Sequence, residues 1–85
     1  MPKLNWTIVG YNIIEAREQL EKIEKQIKEG TIAEGKFRAD LEHAFHHLSV
    51  AWNVRRASMK AYKDMSDEDF NRWSQFPAEL EPFKV

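Results

Sequence analysis

The chain has 85 residues, a net charge of −1 and no cysteine, so it can form one small domain with a thin hydrophobic core. Without cysteine, disulfides, zinc–thiolate sites and thiol catalysis are excluded, and only histidine and carboxylate side chains remain as metal ligands. The sequence has neither an apolar run of membrane-spanning length nor a charged-then-apolar leader pattern, which predicts no membrane association and a cytoplasmic location.

The first predicted helix spans about residues 6–29 and carries an apolar seam. Alternating three- and four-residue spacing is typical of a helix that packs against another helix. Ile8, Tyr11 and Ile14 lie outside the seam, so the first two turns are apolar on more than one side. The seam itself consists of Trp6, Val9, Ile13, Ala16, Leu20, Ile23 and Ile27.

A tight turn is predicted after the first helix. Gly30 is a typical residue just beyond a helix C-terminus, and Thr31 and Glu34 match a capping box that opens a second helix of about residues 32–64. Helices joined by so short a connection fold back as an antiparallel hairpin. No glycine or proline interrupts residues 36–65, which predicts a second helix about a third longer than the first.

The second helix has two adjoining apolar stripes that are together too wide for one partner helix. A hairpin with such a surplus buries it most simply against a second copy, which predicts a homodimeric four-helix bundle. One stripe holds Phe37, Leu41, Ala44, Leu48, Ala51 and Tyr62, and the other holds Phe45, Trp52 and Met59.

A short third helix is predicted at about residues 67–76, with Ser66 as its N-cap and three acidic residues in its first turn. Phe70 and Trp73 share one face and are expected to cap the end of the bundle, and Pro77 ends the helix. The predicted fold class is therefore all-α, a long antiparallel helical hairpin with a short third helix and an ordered C-terminal tail, forming one domain over residues 1–85. The apolar tail residues expected to dock on it are Leu80, Pro82 and Phe83.

Three histidines lie close together in the second helix. His43 and His47 are four residues apart and project from one side of the helix, with Asp40 one turn earlier, a spacing that suits a metal site. The first helix offers no inward-facing acid to complete such a site. The sequence therefore predicts no metal and no other cofactor, and a solvated histidine face; a metal, if bound, would use Asp40, His43 and His47.

Nothing in the sequence indicates a catalytic nucleophile or a phosphate-binding loop. Ser49 and Ser58 lie within the predicted second helix, without an exposed turn or an oxyanion-binding loop, and the three glycines are isolated. We therefore expect a non-enzymatic protein, with a histidine-based metal-binding or hydrolytic protein as a lesser alternative.

An aromatic and basic surface late in the second helix is the predicted partner-binding site. Arg55 occupies a position where the helical pattern expects an apolar residue, so its guanidinium must be paired, either with a partner subunit or with Asp67, Asp69 or Glu79. Tryptophan, tyrosine and arginine together are typical of protein-interaction hot spots. The surface comprises Trp52, Arg55, Arg56, Met59, Lys60, Tyr62 and Lys63.

The same surface has nucleic-acid binding as its alternative use, because basic side chains contact phosphates and aromatic ones stack on bases. Residues 31–63 carry six basic and three acidic side chains, whereas residues 64–85 carry two basic and six acidic ones. These two segments neutralise each other within one fold, and the near-zero net charge favours a protein partner. The sequence therefore predicts a small interaction or regulatory protein that works through oligomerisation and partner binding.

Overall fold

The computed structural model describes residues 3–81, which form the helices α1 (Trp6–Glu29), α2 (Glu34–Asn53), α3 (Met59–Lys63) and α4 (Asp67–Trp73). The two long helices, α1 and α2, pack against each other as a hairpin, and α4 contacts α2. Residues 3–81 contain no β-strand, so the predicted all-α hairpin with a short additional helix is confirmed. The predicted tail contacts of Pro82 and Phe83 lie outside the described residues.

The turn between α1 and α2 is a helix C-cap built on Gly30. This residue has a φ of 68°, a left-handed conformation that glycine adopts without steric cost. Its N–H donates to the carbonyl of Ile27 at 3.1 Å, and the N–H of Thr31 donates to the carbonyl of Gln26 at 3.0 Å, which is the Schellman pattern. Thr31 therefore closes α1, and the predicted capping box is wrong. The N-cap of α2 is Ala33, which makes no side-chain capping bond.

The second helix is shorter than predicted because the chain leaves it at residues 54–58 and resumes as α3. Asn5 holds this break: its N–H donates to the carbonyl of Arg55 at 2.6 Å, and its Nδ2 donates to the carbonyl of Ala57 at 3.0 Å. Ser58 then caps α3 by accepting from the N–H of Ala61 at 3.1 Å. In a continuous helix the carbonyls of Arg55 and Ala57 would accept from N–H groups of the same helix and not from Asn5. The predicted range of 32–64 for the second helix is therefore wrong. The N-cap propensity of Ser58 is the sequence signal for the break.

The hydrophobic core lies at the end of the hairpin that is remote from the turn. α4 begins with a capping box between Ser66 and Asp69 and brings Trp73 to this core, where only 9% of its surface is exposed. The prediction of Ser66 as N-cap is confirmed, and so is that of Trp73 packing at the end of the hairpin. The helix ends at Trp73 instead of at about residue 76. The core consists of Ile8, Val50, Val54 and Trp73, with Ala57, Met59, Tyr62 and Met65 packed around them.

The face of α1 that meets α2 overlaps the predicted seam only at Ala16 and Ile23 and is otherwise rotated toward Ile8 and Asn12. The buried residues of α1 are Ile8, Asn12, Ala16 and Ile23, and α2 places Asp40, Ala44, His47 and Ala51 at helical spacing on its facing side. Small and polar side chains therefore line much of the contact within the hairpin. The predicted seam is only partly buried, since 46–68% of the surface is exposed at four of its positions, Trp6, Ile13, Leu20 and Ile27.

Replacing Gly30 by alanine tests the turn. We expect Gly30→Ala to lower the free energy of unfolding by about 1–2 kcal/mol, because a Cβ is strained at positive φ. Gly10→Ala is the matched control: Gly10 lies inside α1 with open space where a Cβ would stand, so alanine should raise stability by up to about 1 kcal/mol. Urea unfolding followed by circular dichroism measures both, and equal destabilisation would contradict the assignment of the cap.

Candidate functional site

The predicted aromatic and basic surface is divided among different environments. Met59 and Tyr62 are half-buried against the hydrophobic core, so they do not form one free stripe with the basic residues. Trp52 and Arg55 lie together beside an apolar depression between α1 and α2. The structure therefore does not unite the seven predicted partner-binding residues in one surface.

The basic residues of that surface form a separate, exposed group on α3 and just before it. Arg56, Lys60 and Lys63 are exposed, and the Nζ of Lys60 pairs with the carboxylate of Asp64 at 2.9 Å. Nucleic-acid binding by this group would lack the stacking side chain of Tyr62, whose hydroxyl accepts a hydrogen bond inside the fold.

Arg55 has the kind of partner that its position in the sequence required. Only 14% of its side chain is exposed, and its Nη2 pairs with the carboxylate of Glu79 at 3.2 Å. Its Nη1 donates to the carbonyl of Trp52 at 2.8 Å, and its guanidinium carbon lies 3.9 Å from the centroid of the Trp52 ring. Pairing with Glu79, one of the predicted tail residues, is confirmed, and this contact ties the tail to the end of α2.

The most extensive candidate surface is an apolar face that runs along one side of the hairpin. It is formed by four neighbouring depressions, and each depression shares at least one lining residue with the next. Nine of its side chains have 39–68% of their surface exposed. The residues of the apolar face that line these depressions are Trp6, Val9, Ile13 and Ile27 of α1, Phe37, Leu41, Phe45, Leu48 and Trp52 of α2, and Phe76 and Leu80 of the tail. Leu20 is added to the apolar face because it lies seven residues from both Ile13 and Ile27, on the same side of α1.

A hydrogen-bond network joins α1, α2 and α3 away from the apolar face. Asn12 is 2% exposed, and its Nδ2 donates to the carbonyl of Ile8 at 3.0 Å and to the hydroxyl of Tyr62 at 3.2 Å. Its Oδ1 lies 3.0 Å from Nδ1 of His47. Because an amide oxygen only accepts, His47 carries a proton on Nδ1. The Nε2 of His47 lies 3.0 Å from Nε2 of His43 and accepts from it.

Asp40 does not join these two histidines. Its carboxylate accepts from the Nζ of Lys36 at 3.0 Å, and the Nζ of Lys22 lies 3.7 Å away on α1. The hydrogen bond from Lys36 lowers the pKa of the Asp40 carboxyl, which is therefore ionised at neutral pH. Across residues 3–81, no three or more histidine and acidic side chains are grouped as a metal site would require. The predicted ligand trio is thus divided into a histidine pair and a carboxylate held by lysines.

The third histidine links α2 to α4. The ring of His46 lies 4.8 Å from the ring of Phe70 between centroids. The hydroxyl of Ser74 donates to the carbonyl of Phe70 at 2.6 Å and accepts from Nδ1 of His46 at 2.8 Å. Burial lowers the pKa of the His46 imidazole, and the nearby His43 lowers it further. The fold therefore favours the neutral ring of His46.

Comparison of the chain with protein-family models, with curated proteins and with solved structures finds no match. In the described part of the chain, no helix combines the length and the apolar composition that a membrane crossing needs. The candidate sites are therefore interpreted from their own geometry.

Acidification should weaken the fold through the histidines. Burial lowers the pKa of His47, the charges of His46 and His43 act in the same direction, and Glu15 of α1 opposes them. A histidine whose pKa is lower in the folded chain than in the unfolded one destabilises the fold as pH falls below the unfolded value of about 6.5. We therefore expect the urea midpoint to fall between pH 7.5 and pH 5. The double variant His46→Gln, His47→Gln should show a much flatter profile, and an unchanged slope would contradict this cause.

The Arg55 contacts should differ in their contribution to stability. We expect Arg55→Ala to lower the free energy of unfolding by about 1–3 kcal/mol, because it removes a charge-assisted hydrogen bond to a carbonyl and a cation–π contact. Glu79→Gln should cost less than about 1 kcal/mol, because the Glu79 side chain is mostly exposed. Urea denaturation compares the two variants, and an equal cost would mean that the ion pair dominates.

Proposed function

We propose that this protein is a non-enzymatic interaction module that self-associates through its apolar face, forming a homodimeric four-helix bundle. The observation that carries the proposal is the distribution of large apolar side chains. Trp6, Ile13 and Ile27 of α1 and Phe45 and Leu48 of α2 are each 43–68% exposed, whereas the contact within the hairpin contains buried Asn12 and Asp40. The apolar face could therefore bury more hydrophobic surface than the contact between α1 and α2 does, yet it is exposed in a single copy.

The size of the apolar face supports a stable interface. With roughly 150–200 Å² for each large apolar side chain, from the lower part of the aromatic range, nine side chains with 39–68% exposed offer on the order of 700–900 Å² per copy. A standard protein–protein interface buries about 800 Å² per partner. A chain of 85 residues also gains more from oligomerisation than a larger domain does, because its own core is thin.

The shape and charge of the apolar face favour a second copy as its occupant. α1 and α2 are adjacent and each presents an apolar stripe. Two such pairs, packed with their stripes facing, form a four-helix bundle. Side chains of both signs, Glu34, Arg38 and Glu42, border the depression around Phe37. Mixed charges can pair across a two-fold axis, whereas an anionic membrane surface would favour a predominantly basic border.

The contacts of the serines support a non-enzymatic role. Ser49 is 5% exposed, and the hydroxyl of Ser58 is used as the N-cap of α3. The hydroxyl of Ser74 donates to the carbonyl of Phe70 and not to His46, so none of the three is held as a hydroxyl donating to a histidine base. A cytoplasmic location remains part of the proposal, and a chain without cysteine does not need an oxidising compartment for its fold.

Matched glutamate substitutions on α1 test the dimer. Ile13 and Ile14 are adjacent and 47% and 44% exposed, but only Ile13 belongs to the apolar face. We expect light scattering at micromolar concentration to give twice the chain mass of 10.1 kDa for the parent and for Ile14→Glu. Ile13→Glu should be monomeric, because it places a charge in the interface.

A monomeric parent protein would refute self-association. In that case liposome flotation would show whether the apolar face binds a membrane surface instead. A dimer that survives Ile13→Glu but is lost in Ile14→Glu would also refute the proposal, since it would place the interface on another side of α1, about 100° from Ile13. Circular dichroism confirms that each variant remains helical.

A further inference from the structure

His43 and His47 present a pair of nitrogen atoms to one point at the surface. Their Nε2 atoms are 3.0 Å apart. Two imidazole nitrogens bound to one metal ion at about 2.1 Å are about 3.0 Å apart when the angle at the metal is near 90°. The geometry points to a two-nitrogen chelate formed by His43 and His47 for a tetragonal transition-metal dication, Cu²⁺ in particular.

The orientation of His47 is fixed in the way that metal-binding histidines usually are. Its Nδ1–H donates to the amide oxygen of Asn12 at 3.0 Å, so the lone pair of Nε2 points away from α1. Asn12 is itself buried and held by the carbonyl of Ile8 and the hydroxyl of Tyr62. Hydrogen bonds of this kind set the tautomer and the ring direction of a ligand before the metal arrives.

The second ligand requires only a change of tautomer. His43 is exposed, and in the metal-free network its Nε2–H donates to His47. When a metal ion binds, that proton is lost to solvent and another is taken up on Nδ1, so the charge of the ring is unchanged. Both Nε2 lone pairs are then available to the metal ion, with the two ring centroids 4.8 Å apart.

The separation of the two nitrogens is nearer to that of adjacent ligands around Cu²⁺ than to that around Zn²⁺. A tetrahedral ion such as Zn²⁺ needs about 3.3–3.4 Å between two such ligands, whereas adjacent positions around Cu²⁺ or Ni²⁺ need about 3.0 Å. Imidazole nitrogen suits these ions, and Cu²⁺ binds most tightly in the first-row series. Water completes the coordination, with Glu15 on the facing helix close enough to act electrostatically on His47.

This inference is independent of the proposed dimer. Neither His43 nor His47 lines any of the depressions of the apolar face. The monomeric variant Ile13→Glu is therefore expected to bind Cu²⁺ like the parent protein, so failure of one proposal does not imply failure of the other.

Titration with Cu²⁺ tests the chelate. We expect one ion per chain by calorimetry and an electron paramagnetic resonance spectrum with hyperfine splitting from coordinated nitrogen. Removing a residue that only hydrogen-bonds to a metal ligand typically weakens metal affinity about 10–100-fold. His43→Gln removes a ligand itself, so it should weaken Cu²⁺ binding at least tenfold. His43 is the better position for this test, because His47→Gln also removes the contact with Asn12.

His46→Gln is the matched control, since it removes a neighbouring imidazole whose Nδ1 is bonded to Ser74. We expect its affinity for Cu²⁺ to stay within about twofold of the parent value, because it is not a ligand. Equal affinity in the parent and in His43→Gln would assign the ion to another site, such as the amino terminus, and would overturn the inference. An equal loss in His46→Gln and His43→Gln would overturn it as well.

Discussion

The side-chain amide of Asn12 is the interaction on which the arrangement of the hairpin depends. It is buried between α1 and α2, and each of its polar atoms has a partner, namely the Ile8 carbonyl, the Tyr62 hydroxyl and the His47 ring. A buried amide is costly unless it is paired in this way. The requirement fixes the rotation of α1, because Asn12 must face α2. Neighbouring residues of a helix are about 100° apart, so Ile13 is directed away from the contact and onto the apolar face.

A second set of polar contacts determines where the hairpin ends. The side chain and the N–H of Asn5 bind two carbonyls in residues 55–57, and the side chain of Asn53 donates to the carbonyls of Trp73 and Gln75. These bonds replace the ones that a longer α2 would make. They let α3 and α4 return across the end of the hairpin, where Trp73 closes the core. Because α2 ends early, the chain can form this core with Trp73, which a hairpin of two helices alone would not contain.

The sequence was sufficient for features that depend on local chemistry. The range of α1 and the cap at Ser66 follow from residue type and spacing. The need of Arg55 for a partner also follows from its position, but the choice of Glu79, which is 24 residues away, does not. The packing face of α1 was predicted only in part: the seam included Ala16 and Ile23, but hydrophobic periodicity favours Ile13 and Leu20 over Asn12. A polar residue is buried only when distant partners satisfy it, and Tyr62 and His47 are 50 and 35 residues away.

The same rotation of α1 separates the two candidate sites. It directs Trp6, Ile13 and Ile27 to the apolar face and leaves His43 and His47 outside it, with Asn12 in the buried contact between α1 and α2. A second copy on the apolar face would therefore leave the histidine pair accessible to ions. Asn12 acts on both sites, since it determines which residues of α1 are exposed and which nitrogen of His47 is available. A change at this one amide should consequently alter assembly and ion binding together, whereas changes at Ile13 or His43 should alter only one of them.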